Sequence, residues 1–239
     1  MENRVIFGWD RSGTKLLADL HSAAGYFNFG EFFNCFSCEI IYDTIPYSNR
    51  LLVETQYKNR TYWKTRNKNE LHSVKSIESL ERQTVFNQYK DITPSIVTVW
   101  YGDMVINKNI WSCIDDRYYL CTIRKNQTEQ LLSGLLTNYN LNFNGEHESN
   151  PIHAKMHDID YYFNHLNMTD KIQRDLVANN RGRYIDFDKL IAGQEDLGFD
   201  YTVTSSDQHT DLYKYFLNLD EVLARINYLM STNRWYYHG

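Results

Sequence analysis

The chain has 239 residues, 42% of them hydrophobic and 15% aromatic, and its 25 Lys and Arg against 30 Asp and Glu leave a formal charge of −5. Such a composition excludes a disordered chain, and the acidic balance excludes a protein whose main partner is nucleic acid, because neutralising a phosphate backbone takes a broad basic face. No run approaches the roughly 18 apolar residues of a membrane helix and no signal-peptide pattern opens the chain, so a cytoplasmic protein without a membrane partner is expected.

The first predicted elements are an apolar strand from Val5 to Phe7 and an amphipathic helix from Thr14 to Ala24. Leu16, Leu17, Leu20, Ala23 and Ala24 recur at helical spacing, and Gly25 stops the helix where a left-handed residue is wanted. Lys15, Asp19 and His21 fall elsewhere on the wheel, which makes His21 a surface or rim residue. Between strand and helix runs a loop bounded by Gly8 and Gly13 that carries Arg11 and Ser12 and delivers Thr14. Backbone N–H groups in a first helical turn lack intrahelical partners, and the helix dipole adds about half a positive charge, so this turn is built for an anion such as phosphate.

An aromatic segment follows, in which Glu31 stands among Phe27, Phe29, Phe32 and Phe33. A carboxylate held there would be partly desolvated, with a raised pKa suited to a general base, although an ordinary exposed Glu between two core aromatics has the same local sequence. Cys35 and Cys38 lack a second pair at zinc spacing, and with Cys113 and Cys121 they read as reduced, partly buried thiols. From Ile40 to about Lys90 basic residues alternate with Tyr47, Tyr57, Tyr62 and Trp63. That pattern fits a sugar or polar-acceptor groove, or a solvated helical face. Ser79 to Asp91 reads as a helix closed by Thr93-Pro94.

Ser95 to Tyr101 and Arg117 to Ile123 are β-rich runs, separated by a short helix or loop from Asp103 to Cys113. Near-continuous apolar runs alternating with helical stretches predict an α/β fold with a central parallel sheet flanked by helices. Asn126 and Glu129 have the form of a capping box, opening a helix whose Leu131, Leu132, Leu135 and Leu136 face inward. Ser133, seven residues after Asn126, shares its face, so Arg124 and Ser133 can point toward one anion at the carboxyl end of the strand.

Asn138 to Asn150 reads as a loop, and Pro151 opens a helical region to about Asn180. His153 and His157 stand at i, i+4, but no Glu follows His153 and no third ligand is evident, so no metal site is expected. Arg183 to Leu190 reads as a strand entering a helix or turn, and Leu219 to Thr232 as an amphipathic helix with Val222, Leu223, Ile226 and Leu229 on one face. With no linker and no repeat, the whole of 1–239 is expected to be one domain.

Taken together these motifs resemble the sulfotransferases that use 3′-phosphoadenosine-5′-phosphosulfate (PAPS). Arg11-Ser12-Gly13-Thr14 is similar to the family's phosphosulfate loop after the first strand. Arg124 and Ser133 are similar to its arginine and serine that bind the 3′-phosphate, and Gly30-Glu31-Phe32-Phe33 looks like the Gly-x-x-Glu-Phe-Phe region of bacterial trehalose-type members. Tyr184 to Leu190 is a weaker match to the strand ending in Tyr-Glu-Asp-Leu.

The resemblance implies a P-loop-like sulfotransferase fold and transfer of a sulfuryl group from PAPS, leaving adenosine 3′,5′-bisphosphate (PAP). The acceptor would be a hydroxyl of a small molecule or carbohydrate. It further implies that Arg11 and Glu31 are catalytic, and that Arg11, Ser12, Gly13, Thr14, Lys15, Arg124 and Ser133 bind the nucleotide. Lys15 departs from the pattern, since the family has a second hydroxyl there. A non-catalytic PAPS- or PAP-binding protein on the same fold stays an alternative. A P-loop kinase or NTPase is a weaker one, because Gly8 to Gly13 is followed by Thr14-Lys15-Leu16 instead of Lys-Ser/Thr.

Overall fold

The structure, a computed structural model, describes residues 2–9, 12–33, 86–87, 90–106, 109–140, 151–203 and 212–232. Five strands form one all-parallel sheet in the order β2-β3-β1-β4-β5. They are β1 (Arg4–Gly8), β2 (Phe27–Asn28), β3 (Ser95–Trp100), β4 (Tyr118–Ile123) and β5 (Gly182–Asp186). The helices are α1 (Thr14–Ala23), α2 (Tyr101–Ile106), α3 (Ile110–Ile114), α4 (Gln127–Asn140), α5 (Met156–Ala178), α6 (Phe187–Ile191) and α7 (Leu219–Thr232). The expected α/β sheet with flanking helices is therefore present, and none of the helices among the described residues is long and apolar enough to cross a membrane.

Both faces of the sheet are covered, which is why its strands read as unbroken apolar runs. Ile6, Ile96, Leu120 and Ile185 point to one face and meet Leu17 and Leu20 of α1 with Leu190 and Leu197. Val5, Phe7, Val97, Val99, Tyr119 and Cys121 point to the other, against Ile110 and Ile114 of α3 and Leu176 of α5. A third cluster joins Trp9 to the leucines of α4, to Phe163 of α5 and to Val222 and Ile226 of α7. Each fully buried leucine or isoleucine in these clusters contributes about 1.5–3 kcal/mol.

Helix ends follow local chemistry. Gly25, at φ 90°, closes α1 in a Schellman motif, with Gly25 N–H donating to Ser22 O and Tyr26 N–H to His21 O. Asn126 caps α4, its Oδ1 accepting from Glu129 N–H at 3.1 Å. The reciprocal half of the capping box is replaced: the Glu129 carboxylate turns to Arg124, at 3.2 Å.

Two expectations are corrected. His21 is fully buried, not a rim residue, because Tyr26 and Phe199 pack edge-on against its ring, each at 5.0 Å. Its Nδ1–H donates to Leu17 O and its Nε2 accepts from Arg4 Nη1, so the imidazole is neutral, and burial followed by the charges of Arg4 and Arg183 lowers its pKa to about 4. The helix after Pro151 starts only at Met156, so His153 lies outside it and cannot share a helical face with His157. His157 is exposed and sits 3.0 Å from Asp158. Among the described residues no cluster of metal-ligating side chains occurs. The readings on Cys35, Cys38 and the basic-aromatic stretch lie outside the described residues, as does most of the Ser79–Asp91 helix.

Candidate functional site

The sheet order makes β1 a topological switch point. The chain leaves β1 for α1 on one face and leaves β4 for α4, which packs with α5 toward the other. Between two such strands the loops diverge at the carboxyl edge, and the crevice they leave is where open α/β sheets bind ligands. A shallow, open recess lies there, with Trp9 just past β1, Thr122 from β4 and Arg124 just past it, Gln130 from α4, and Asp170 and Gln173 from α5.

The turn into α1 supplies no residue to the lining of this recess, but it approaches Arg124 through a shared aromatic ring. Gly13 has φ 85° and ψ 15°, a left-handed conformation that a side chain would strain, and it is the residue from which α1 starts. A Cβ there would also run into the Phe187 ring. On that ring lies the Arg124 guanidinium, its Cζ 5.5 Å from the centroid. Gly13 and Arg124 therefore flank one aromatic side chain, supplied by the first residue after β5. The predicted turn and the predicted arginine, far apart in sequence, are brought together.

The other predicted residues fall into three groups. Arg11 lies outside the described residues. Ser12 and Thr14 are buried, and Ser12 is spent on the turn itself: its Oγ donates to Trp9 O at 2.6 Å and stands 2.7 Å from Thr122 Oγ1, while its N–H donates to Trp9 O at 3.2 Å. Lys15 is exposed in the first turn of α1. Ser133 is buried on α4 and does not line the recess, so it does not join Arg124 there.

Glu31 is half-buried just past β2, with Phe29, Phe32 and Phe33 buried beside it. Strand β2 is separated from β1 by β3, so Glu31 stands at the same carboxyl edge, on the far side of β3 from the recess. The edge thus divides into a β1/β4 side, with the turn and Arg124, and a β2/β3 side, with Glu31.

Three residues that sequence reading passed over help to build the site. Asp170 is buried against Arg174, 3.2 Å away, and burial raises its pKa more than Arg174 lowers it. Gln173 and Thr122 tie the ends of β1 and β4 together. A signal was available: Thr169, Asp170 and Gln173 fall on the buried stripe of α5 that Phe163, Leu166 and Leu176 define, where polar side chains are costly unless they are paired.

No protein-family model matches the chain, and no curated protein is significantly similar to it. The site has to be read from its own residues.

Proposed function

We propose that the chain is a sulfotransferase that moves a sulfuryl group from PAPS to a hydroxyl of a small-molecule or carbohydrate acceptor. The observation that supports this reading is the shared Phe187 ring, which a helix N-terminus and a guanidinium both approach. Two anion-binding devices that approach one aromatic ring would suit a ligand with phosphates at both ends, and PAPS is such a nucleotide. Arg124, which lines the recess, and the α1 turn, which approaches the same ring, support the reading. Ser12 and Ser133 would contribute through the scaffold, since neither hydroxyl opens into the recess.

In the proposed reaction the acceptor hydroxyl attacks sulfur in line, a new S–O bond forms, and the bond from sulfur to the 5′-phosphate oxygen breaks. By analogy with phosphoryl transfer, positioning and electrostatic stabilisation supply most of the acceleration. Backbone N–H groups at the start of α1 would hold the 5′-phosphate, with Lys15 adding charge at its exposed side. Arg124 would hold the 3′-phosphate and so select against nucleotides that lack one. Arg11, on the strength of the sequence resemblance, would meet the charge on the leaving oxygen. Glu31 would take the acceptor's proton, a step for which positioned bases give about 10²- to 10⁴-fold. Its place beyond β3 would bring the acceptor to the sulfur from the β2/β3 side of the edge.

The test is a thermal-shift series. Adenosine 3′,5′-bisphosphate should raise the unfolding midpoint of the full chain, ATP and AMP should leave it unchanged, and Arg124→Ala should abolish the rise. Transfer of labelled sulfate from PAPS to a sugar or alcohol then separates an enzyme from a non-catalytic binder. A chain that binds the bisphosphate and transfers to no hydroxyl compound would refute the catalytic reading.

A further inference from the structure

The ladders on the two sides of β1 have different lengths. Pairing with β3 runs to Gly8↔Trp100, whereas pairing with β4 ends one residue earlier, at Phe7↔Cys121. Beyond that point β1 and β4 part, and carbonyls at the mouth of the split lose the ladder donors that a sheet interior supplies.

Gln173 fills this gap from α5. Its Nε2 donates to Phe7 O at 2.9 Å and to Thr122 O at 3.0 Å, one bond to each departing strand, and the residue is 3% exposed. Farther out, the Ser12 proton is committed to Trp9 O, so the Thr122 hydroxyl donates to Ser12 Oγ across 2.7 Å. Space for that relay exists because β1 ends in Gly8: a Cβ there would collide with Thr122 Oγ1 and come within 2.7 Å of Ser12 Oγ. Hydrogen bonds to the main chain and to the side chain of Thr122 thus link α5, through both strand ends, to the turn that starts α1.

We infer that Gln173 is the positioning residue of the anion-binding turn. Its amide fixes the spacing between the ends of β1 and β4, and the Thr122–Ser12–Trp9 relay passes that spacing to the first turn of α1. The N–H groups of that turn are thereby held in place before any ligand arrives, which is what a site needs if affinity is not to be lost in ordering it. The inference rests on the proposed function for the turn's binding of an anion and for that anion's identity, whereas the relay itself rests on the hydrogen bonds alone.

Calorimetric titration of the full chain with adenosine 3′,5′-bisphosphate and, separately, inorganic pyrophosphate tests this. It would be done well below the unfolding midpoint of every variant, alongside hydrogen exchange of the Ser12–Leu17 amides without ligand. Gln173→Met keeps the length and removes the donors, and should weaken binding of both ligands about tenfold or more. It should also speed exchange in the turn while leaving α7 unchanged. Thr122→Val should act in the same direction, and Thr122→Ser, which keeps the hydroxyl, should stay within about twofold of the parent.

Val222→Ala, in the α7 core, controls for lost stability: its midpoint should fall with affinity and turn exchange unchanged. A folded Gln173→Met chain with parental exchange in the turn and parental affinity would overturn the inference. Binding of pyrophosphate without the bisphosphate would instead remove the nucleotide reading and leave the positioning role standing on the pyrophosphate and exchange data.

Discussion

Two arginines bracket β4, Arg117 before it and Arg124 after it, and the chain treats them in opposite ways. Arg117, at the amino edge of the sheet, is 4% exposed between the rings of Phe29 and Phe86, and its Nη1 and Nη2 donate to Ser95 Oγ and Lys90 O. Burial lowers its pKa, so the fold bears a cost to keep it there. Arg124, at the carboxyl edge, also lies on a ring and meets one carboxylate, but it borders an open recess. At one edge polar groups are used to close the sheet. At the other they are arranged around a space. Residue type and even ring stacking are shared, so what marks the candidate site is where the strands diverge.

This contrast can be broken experimentally. The largest effect is expected for Gly8→Val, which pushes a side chain into the Ser12 and Thr122 hydroxyls; overpacking plus a lost buried bond should cost about 3–5 kcal/mol in a denaturant titration. If the crevice edge were loosely built, Gly8→Val would be tolerated.

His21 tests the closed edge through pH. Its folded pKa of about 4 lies below the ordinary 6.5, so between those values the unfolded chain binds the extra proton and the folded chain does not. Stability is thus complete above pH 6.5 and falls as pH drops toward 4, by about 3 kcal/mol across the window. Urea midpoints at several pH values should show this slope, and His21→Gln should flatten it.

The two arginines supply the sharpest comparison. Arg117→Met should lower stability by about 2–3 kcal/mol through lost charge-assisted bonds, with any bisphosphate-induced shift retained. Arg124→Met should change stability by about 1 kcal/mol or less and remove that shift. Equal stability losses with equal ligand responses would dissolve the distinction. The smallest effect belongs to Lys15→Thr: an exposed cation at a helix N-terminus opposes the dipole, so stability should rise or stay within about 0.5 kcal/mol. A steeper loss of bisphosphate affinity with added salt in the parent than in Lys15→Thr would show that the ammonium takes part in binding.

Much of the fold was legible because its signals are local. Apolar runs gave β3 and β4, the leucine spacing gave α4, Asn126 marked its start, and α7 was read with the bounds it has, Leu219–Thr232. The glycine-bounded turn and Arg124 were legible for the same reason, each being a strand end followed by a helix start. What escaped was set by contacts between distant segments. His21 looks like a rim residue on the wheel of α1 alone, and Phe199, far along the chain, covers it. Gln173 is one polar residue on a long helix until the ends of β1 and β4 are seen to part above it. Ser133 shows the converse, since a shared helical face with Asn126 did not bring it to the recess.

The position of β1 also bears on how the protein is made. Being first among the described strands, it is synthesised before either of its partners, yet it ends in the middle of the sheet, where Arg4 pairs with both Ile96 and Tyr118. Both of its edges wait for strands synthesised much later, and non-local pairing of this kind slows folding and exposes unpaired edges to other chains. Release of the nascent chain before β4 should therefore yield aggregation-prone fragments, and lower growth temperature or chaperone supply should raise the soluble yield.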